Sequence, residues 1–296
     1  MPSIIFYCDK HYGGYGDRLI GMASAITIAR ILGFSFSFAW EQEFMSLCKR
    51  QDKYLGEHIN LNLINQKSCH ILENEPLRDI WKNSSVKISA NIPVDRLLWK
   101  NPNFSLQLYD MEAIKSFKEI MPILFGSEDT PQLGKVIYEC GIQIRCGDTY
   151  CMPHSQAQQY IPESNWPSFA KSIKNYLIKR GIFGTIYLTS DTYKIYEHFK
   201  SLNDDSIKFK VISRNEDIHF DFYNSNNRYK EIVDDHLELQ KCKRIITGLR
   251  SNFGTTAAYC SSVCDELIIY NFIESDASFA EYNAREKLVL KEHLPL

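Results

Sequence analysis

Apolar residues fall along this chain in short runs of strand length, separated by stretches with helical spacing. Residues 3–8 form the first run, and 34–40 alternates Phe with small or polar residues as a half-buried strand does. Between them, 19–32 is rich in small and apolar residues and predicts a buried helix, with Gly33 placed to end it. Later runs at 136–145, 185–190, 209–213, 244–248 and 267–270 predict strands. Helical spacing at 166–177, 191–200, 234–240, 254–261 and 281–292 predicts the helices between and after them. Strands that alternate with helices imply a mostly parallel sheet, hence an α/β fold.

Residues 41–130 interrupt this rhythm. Helical patches are expected at 43–49 and 111–118. Trp81, Leu97, Leu98 and Trp99 suggest core, and Pro102, Pro122 and Pro131 punctuate. Residues 126–131, Gly-Ser-Glu-Asp-Thr-Pro, are polar and lead straight into a new strand. The expected division is therefore 1–130, an N-terminal α/β domain, and 131–296, a second α/β domain.

Composition narrows the function. The chain has 296 residues, 44% of them hydrophobic, which suits one large or two ordinary globular domains. A net charge of −2 without a dense basic run argues against nucleic acid as the main partner. No apolar run reaches the roughly 18–20 residues of a membrane span. The nine cysteines are odd in number and form no CxxC pair, which fits reduced thiols in the cytoplasm. The eight histidines are dispersed, so no metal site is expected.

Four stretches carry candidate chemistry. Gly13-Gly14-Tyr15-Gly16-Asp17-Arg18 follows the first strand, where glycines let backbone N–H groups approach an anion or a sugar; the bland alternative is a tight turn needing positive φ. It fits neither GxGxxG nor GxxxxGK[ST]. Gly141-Ile142-Gln143-Ile144-Arg145-Cys146-Gly147-Asp148 brings an arginine to the end of an apolar strand. A guanidinium there suits bidentate binding of phosphate oxygens, or pairs with a structural carboxylate. Asp148 can orient Arg145, cap the next segment or act as a base. Asp191 closes another strand, placed to accept from ribose hydroxyls or a base edge, or to cap a helix over 192–200. Arg250-Ser251-Asn252-Phe253-Gly254-Thr255-Thr256 opens a helix with hydroxyls, which makes either a diphosphate site or an ordinary N-cap. No D-x-D triplet offers a metal bridge to a diphosphate, and no G-x-S-x-G elbow suggests hydrolysis. A departing diphosphate would then be balanced by Arg145, Arg18, Arg250 and helix N-termini.

In this order, the four stretches resemble those of the GDP-fucose-dependent fucosyltransferase superfamily. It includes the xyloglucan, nodulation-factor, core α1,6-, α1,2- and protein O-fucosyltransferases. Residues 13–19 look like the family's G-G-[LF]-G-[ND]-[RQ]-[LM]. Residues 141–148 look like its H-x-R-x-G-D, with Gln143 in the histidine position as in the xyloglucan branch. Asp191 falls at its S-D, and 250–257 is similar to its S-x-F-[GS] before an apolar helix. The resemblance spans about 4–40 and 136–261 and is weak over 41–130.

The resemblance implies a GT-B-like fold of two Rossmann-type domains facing a cleft, with the acceptor on the 1–130 side and the donor held by 131–296. It implies an inverting, metal-independent enzyme without a cofactor, transferring fucose from GDP-fucose to a glycan hydroxyl. Arg145 would bind the β-phosphate, and Asp191 the guanosine side. Ser251, Asn252, Phe253, Gly254, Thr255 and Thr256 would hold the pyrophosphate, with Arg250 and Gln143 beside it. Gly14, Tyr15, Gly16, Asp17 and Arg18 would face the donor across the cleft. Arg145 and Asp148 are the expected catalytic pair, and Asp17, Glu41, Asp148 and His154 the candidate bases. The sequence shows no signal-anchor helix of the Golgi type, so a cytoplasmic enzyme is expected, compatible with peripheral membrane contact. The rivals are a transferase of the same build using another GDP-sugar, and a non-catalytic nucleotide- or glycan-binding protein.

Overall fold

The computed structural model describes residues 3–7, 14–40, 44, 46–48, 59–62, 86–89, 106–126, 135–146, 161–211, 229–249, 251–273 and 276–289. The chain divides into two compact units, Met1–Thr130 and Pro131–Leu296.

In the first unit, β1 (Ser3–Tyr7), β2 (Ser35–Ala39), β3 (Ile59–Asn62) and β4 (Val86–Ser89) form a parallel sheet in the order β2-β1-β4-β3. Helix α1 (Tyr15–Leu32) is buried almost all round, as its run of small and apolar residues requires. Gly33 ends it in the left-handed region at φ 68°, donating its N–H to the carbonyl of Arg30. Helix α2 (Leu106–Phe125) packs against α1, where the hydroxyls of Thr27 and Ser116 meet at 2.7 Å and Arg30 bridges Glu112 and Glu119.

Two expectations change here. Pro122 does not punctuate but lies inside α2, three residues from its end. It gives up one helical hydrogen bond to the carbonyl four residues earlier, and the following turn is closed by Gly126 N–H donating to the Pro122 carbonyl at 3.0 Å. Strands β3 and β4 were not expected. Ile-Asn-Leu-Asn and Val-Lys-Ile-Ser do alternate, but over only four residues.

The second unit is built on a six-stranded sheet. Its strands are β5 (Cys140–Ile144), β6 (Gly184–Ser190), β7 (Ile207–Val211), β8 (Arg244–Gly248), β9 (Glu266–Ile273) and β10 (Asp276–Asn283), in the order β10-β9-β8-β5-β6-β7. All neighbours are parallel except β9 and β10. The helices are α3 (Trp166–Lys179), α4 (Tyr196–Lys200), α5 (Tyr229–Leu239) and α6 (Asn252–Cys260).

Strand alternation separates two faces. Cys140, Ile142, Ile144, Ile186, Leu188 and Ile246 join α3 and α4 in one apolar core around Trp166, Phe169 and Phe199. On the other face, Gly141 lies close under α5, since a Cβ there would stand 2.6 Å from Cys242 Sγ and 3.0 Å from Leu239 Cδ2. The six described cysteines, 48, 140, 146, 242, 260 and 264, are buried. Burial pushes the Cys48 thiol up to about 12 and Cys140 and Cys242 well above their usual range, so these are packing groups and not nucleophiles.

Two more expectations are corrected in this unit. Of the helix expected over 281–292, residues 281–283 belong instead to strand β10, antiparallel to β9, 284–289 are turn and irregular chain, and 290–292 lie outside the described residues. The strand alternates so that Phe279 stacks on Tyr176 at 3.9 Å, and the Tyr176 hydroxyl donates to Glu281 at 2.6 Å. Residues 191–200 are not one helix but a 3-10 turn, Tyr193–Ile195, leading into α4. The cap of that turn is Thr192, which accepts from Lys194 N–H, so the capping alternative for Asp191 is not the one adopted.

Candidate functional site

The topology of the second unit fixes where a ligand can lie. The chain enters the sheet at β5, runs outward through β6 and β7, then returns to the other side of β5 as β8 and β9. The strand order therefore reverses between β5 and β8. In open α/β sheets the crevice at such a switch point, beyond the carboxyl ends of the strands, is the place for a ligand. Here β5 leads directly into Arg145, and β8 leads through Leu249 into the N-terminus of α6.

The chain leaving β5 is held from two sides. The backbone N–H of Arg145 donates to the hydroxyl of Tyr270 on β9 at 3.3 Å. The N–H of Cys146 donates to the Asp191 carboxylate at 2.9 Å, and Asp191 also accepts from the Ser190 hydroxyl at 3.2 Å. Asp191 is buried, so it acts here as a clamp on the strand end.

On the β8 side, α6 approaches the sheet at Gly254. A Cβ there would stand 2.5 Å from Thr247 Oγ1, 2.6 Å from Thr247 Cβ and 3.1 Å from Gln143 Cβ. The glycine is what lets the helix N-terminus sit directly on β5 and β8. Beneath it, the Thr247 hydroxyl donates to the Gln143 side-chain carbonyl at 2.6 Å, while Gln143 Nε2, fully buried, has no hydrogen-bond partner. Ser251 is the N-cap residue of α6 with extended backbone angles, but its hydroxyl makes no cap hydrogen bond. The N–H groups of a helix's first turn and the helix dipole make this end of α6 an element suited to an anion. The two threonine hydroxyls are engaged within the helix. Thr255 donates to the Ser251 carbonyl at 3.0 Å, and Thr256 to the Asn252 carbonyl at 2.7 Å, so both hydroxyl protons are spent inside the helix.

A polar layer continues behind the site, under α5 and α6. Asp235 accepts from the Tyr187 hydroxyl at 2.9 Å and the Thr189 hydroxyl at 2.6 Å. His236 Nε2 lies 3.2 Å from Thr256 Oγ1, and Nδ1 lies 2.9 Å from Gln240 Nε2. The Thr256 proton goes to Asn252, so Nε2 is assigned as the donor and Nδ1 as the acceptor of the neutral ring. Burial lowers the His236 pKa to about 3. Sequence reading missed Tyr270, Asp235 and His236. Asp235 and His236 stand on adjacent positions of an expected helix, which alone gives no sign that both are buried.

In the first unit, Gly14 caps α1 at φ −75°, so it needs no left-handed backbone. Residues 15–18 form the first helical turn, and the Asp17 carboxylate reaches back to accept the Gly14 N–H at 3.3 Å. Tyr15 is buried against Trp40 and Phe44, and Arg18 is fully buried with its guanidinium 5.7 Å from the Trp40 ring. Asp148 and Arg250, with Gly13, Glu41 and His154, lie outside the described residues. Among the described residues, no cluster of three or more His, Cys, Asp or Glu could hold a metal ion, and no helix is long and apolar enough to cross a membrane.

No protein-family model and no curated protein matches the chain. Solved structures do. An Arabidopsis thaliana FUT1 variant in complex with GDP gives a TM-score of 0.54 at 14% identity, covering 93% of this chain and 72% of that one. NodZ alpha-1,6-fucosyltransferase co-crystallized with GDP gives 0.47 at 12%, covering 96% and 99%. POFUT1 in complex with GDP gives 0.45 at 9%, covering 88% and 96%. Of these three, the likeness to FUT1 exceeds 0.5, and what it establishes is a shared α/β fold with parallel-dominated sheets.

Proposed function

We propose that this chain is a glycosyltransferase of GT-B-like build that transfers fucose from GDP-fucose to a glycan hydroxyl, with inversion and without a metal. The observation that carries the reading is the switch point between β5 and β8, where a clamped arginine and a glycine-seated helix N-terminus follow neighbouring strands. Two elements of positive potential at one crevice suit a diphosphate. The fold shared with a FUT1 structure that holds GDP, and the order of the four sequence stretches, support guanosine diphosphate as the leaving group.

In the proposed reaction the acceptor oxygen bonds to the anomeric carbon from the face opposite the nucleotide. The bond from that carbon to the β-phosphate oxygen breaks, and GDP leaves with the electron pair. The hydroxyl proton passes to a base or to solvent. Arg145 and the α6 N-terminus stabilise the charge that develops on the phosphate. Asp17, the described candidate base, is engaged at the start of α1; Glu41, Asp148 and His154 stay as the other candidates, with Asp148 proposed as the catalytic partner of Arg145. The 1–130 domain is assigned to the acceptor, and the enzyme to the cytoplasm.

Calorimetric titration with GDP, UDP and CMP, followed by turnover with GDP-fucose, tests the reading. GDP-selective binding is expected, and Arg145→Ala should retain the fold while losing about 10²–10³-fold in turnover. Binding indifferent to the base, or near-normal transfer by Arg145→Ala, would sink it. Turnover with a different GDP-sugar alone would keep the fold and donor class but replace fucose. Tight GDP binding with no transfer to any glycan would make the chain a binding protein.

A further inference from the structure

Tyr270 lies two strands away from β5, with β8 between them. The sheet runs β9-β8-β5, and Tyr270 on β9 pairs in register with Gly248 on β8. Its ring is buried and packs on Phe169 of α3 at 5.1 Å. Its hydroxyl nevertheless reaches Arg145, the residue that follows β5. The ring does this by passing over Gly248, where a Cβ would stand 2.9 Å from the hydroxyl oxygen and 3.0 Å from Cζ. The pair is therefore matched: a tyrosine long enough to span β8, and a position on β8 with no side chain to block it.

The span has a purpose in the geometry. Past Gln143 and Ile144 the β5–β8 and β5–β6 ladders end, and the next two N–H groups are no longer sheet partners. Asp191 takes one and Tyr270 takes the other. Burial keeps the Tyr270 hydroxyl protonated far above its ordinary range, so it is a constant neutral acceptor with no charge of its own to offer a ligand.

Resting on the reading of Arg145 as the diphosphate anchor, we infer that Tyr270 is a positioning residue, which sets the direction in which Arg145 leaves β5 and so governs how well the site discriminates a diphosphate from a monophosphate. Small misplacements of such a group are costly, because charge stabilisation depends on a preorganised geometry.

The test compares GDP and GMP affinities by calorimetry for the wild-type chain, Tyr270→Phe, Gly248→Ala, Arg145→Ala and the double variant Arg145→Ala/Tyr270→Phe, with ligand-free melting recorded for each. Tyr270→Phe removes only the hydroxyl and should weaken GDP about tenfold while leaving GMP nearly unchanged. Gly248→Ala keeps the hydroxyl but displaces it, and should do the same. In the Arg145→Ala background, Tyr270→Phe should have no further effect on GDP, since its action passes through Arg145. Equal losses of GDP and GMP, additivity in the double variant, or wild-type selectivity in Tyr270→Phe would overturn the role of Tyr270. If Arg145→Ala itself leaves the GDP-to-GMP ratio unchanged, the fault lies in the anchor reading instead. Should Gly248→Ala not fold, the Tyr270→Phe comparisons decide alone.

Discussion

The hydroxyl of Thr247 donates to the side-chain carbonyl of Gln143 at 2.6 Å, joining β8 to β5 directly beneath the switch point. Both residues are buried. Thr247→Val keeps the shape and leaves the Gln143 oxygen unpaired, which should cost about 1–3 kcal/mol in denaturant unfolding. The double variant Thr247→Val/Gln143→Leu removes both partners and should recover much of that loss. A single variant as stable as the wild-type chain would mean that the bond contributes nothing net.

Gly254 predicts a different kind of loss. An alanine there meets Thr247 at 2.5 Å and must lift α6 from the sheet. Overpacking of this kind costs about 1–3 kcal/mol. Because the same movement displaces the helix N-terminus, Gly254→Ala should also weaken GDP by more than its effect on melting explains. Retained GDP affinity in a destabilised variant would separate α6 from the binding site.

Asp191 can be divided into its roles as acceptor and as charge. Asp191→Ala strands the N–H of Cys146 in a buried place and should cost about 1–3 kcal/mol in stability. Asp191→Asn keeps an acceptor oxygen and should lose markedly less. Equal destabilisation by the two, read from urea midpoints, would show that the carboxylate charge is what holds the strand end.

His236 gives the second unit a pH signature. Its folded pKa is depressed to about 3 by burial, against roughly 6.5 in an unfolded chain. Between those values the unfolded state binds the extra proton. The contribution is therefore fully present above about pH 6.5 and is lost as pH falls toward about 3, with a limiting slope of about 1.4 kcal/mol per pH unit. His236→Gln should flatten the acid limb of the stability profile by about one proton. An unchanged slope would mean that the ring is protonated in the folded state.

Strands β5, β6, β8 and β9 were legible because each is a run of apolar residues bounded by polar turns, and parallel strands buried on both faces must read that way. Arg145 and the α6 opening were legible because a charge and a row of hydroxyls interrupt such runs. Tyr270 was not, since its importance arises from a register with Gly248 that no local pattern encodes. Residues 281–283 read as the start of a helix because the stretch that follows them has helical spacing, and the pairing of Glu281, Tyr282 and Asn283 with β9 decides for the strand. Thr255 and Thr256 look like ligands in sequence but turn their protons inward, as threonines in helices can.

The strand order also sets when the candidate site comes into being. As the chain grows, β5 can pair with β6 and then β7, but its other edge stays open until residues 244–248 have been made. The Thr247–Gln143 bond closes a separation of 104 residues, a long-range contact whose loop entropy must be met before β8 docks. A nascent chain that stops short of β8 thus carries Arg145 at the rim of an unfinished sheet, with half its clamp and no helix beside it. The candidate site is then among the last parts of this unit to be completed, and a stalled or truncated product offers an open edge of Gly141, Ile142 and Gln143 to any free strand nearby.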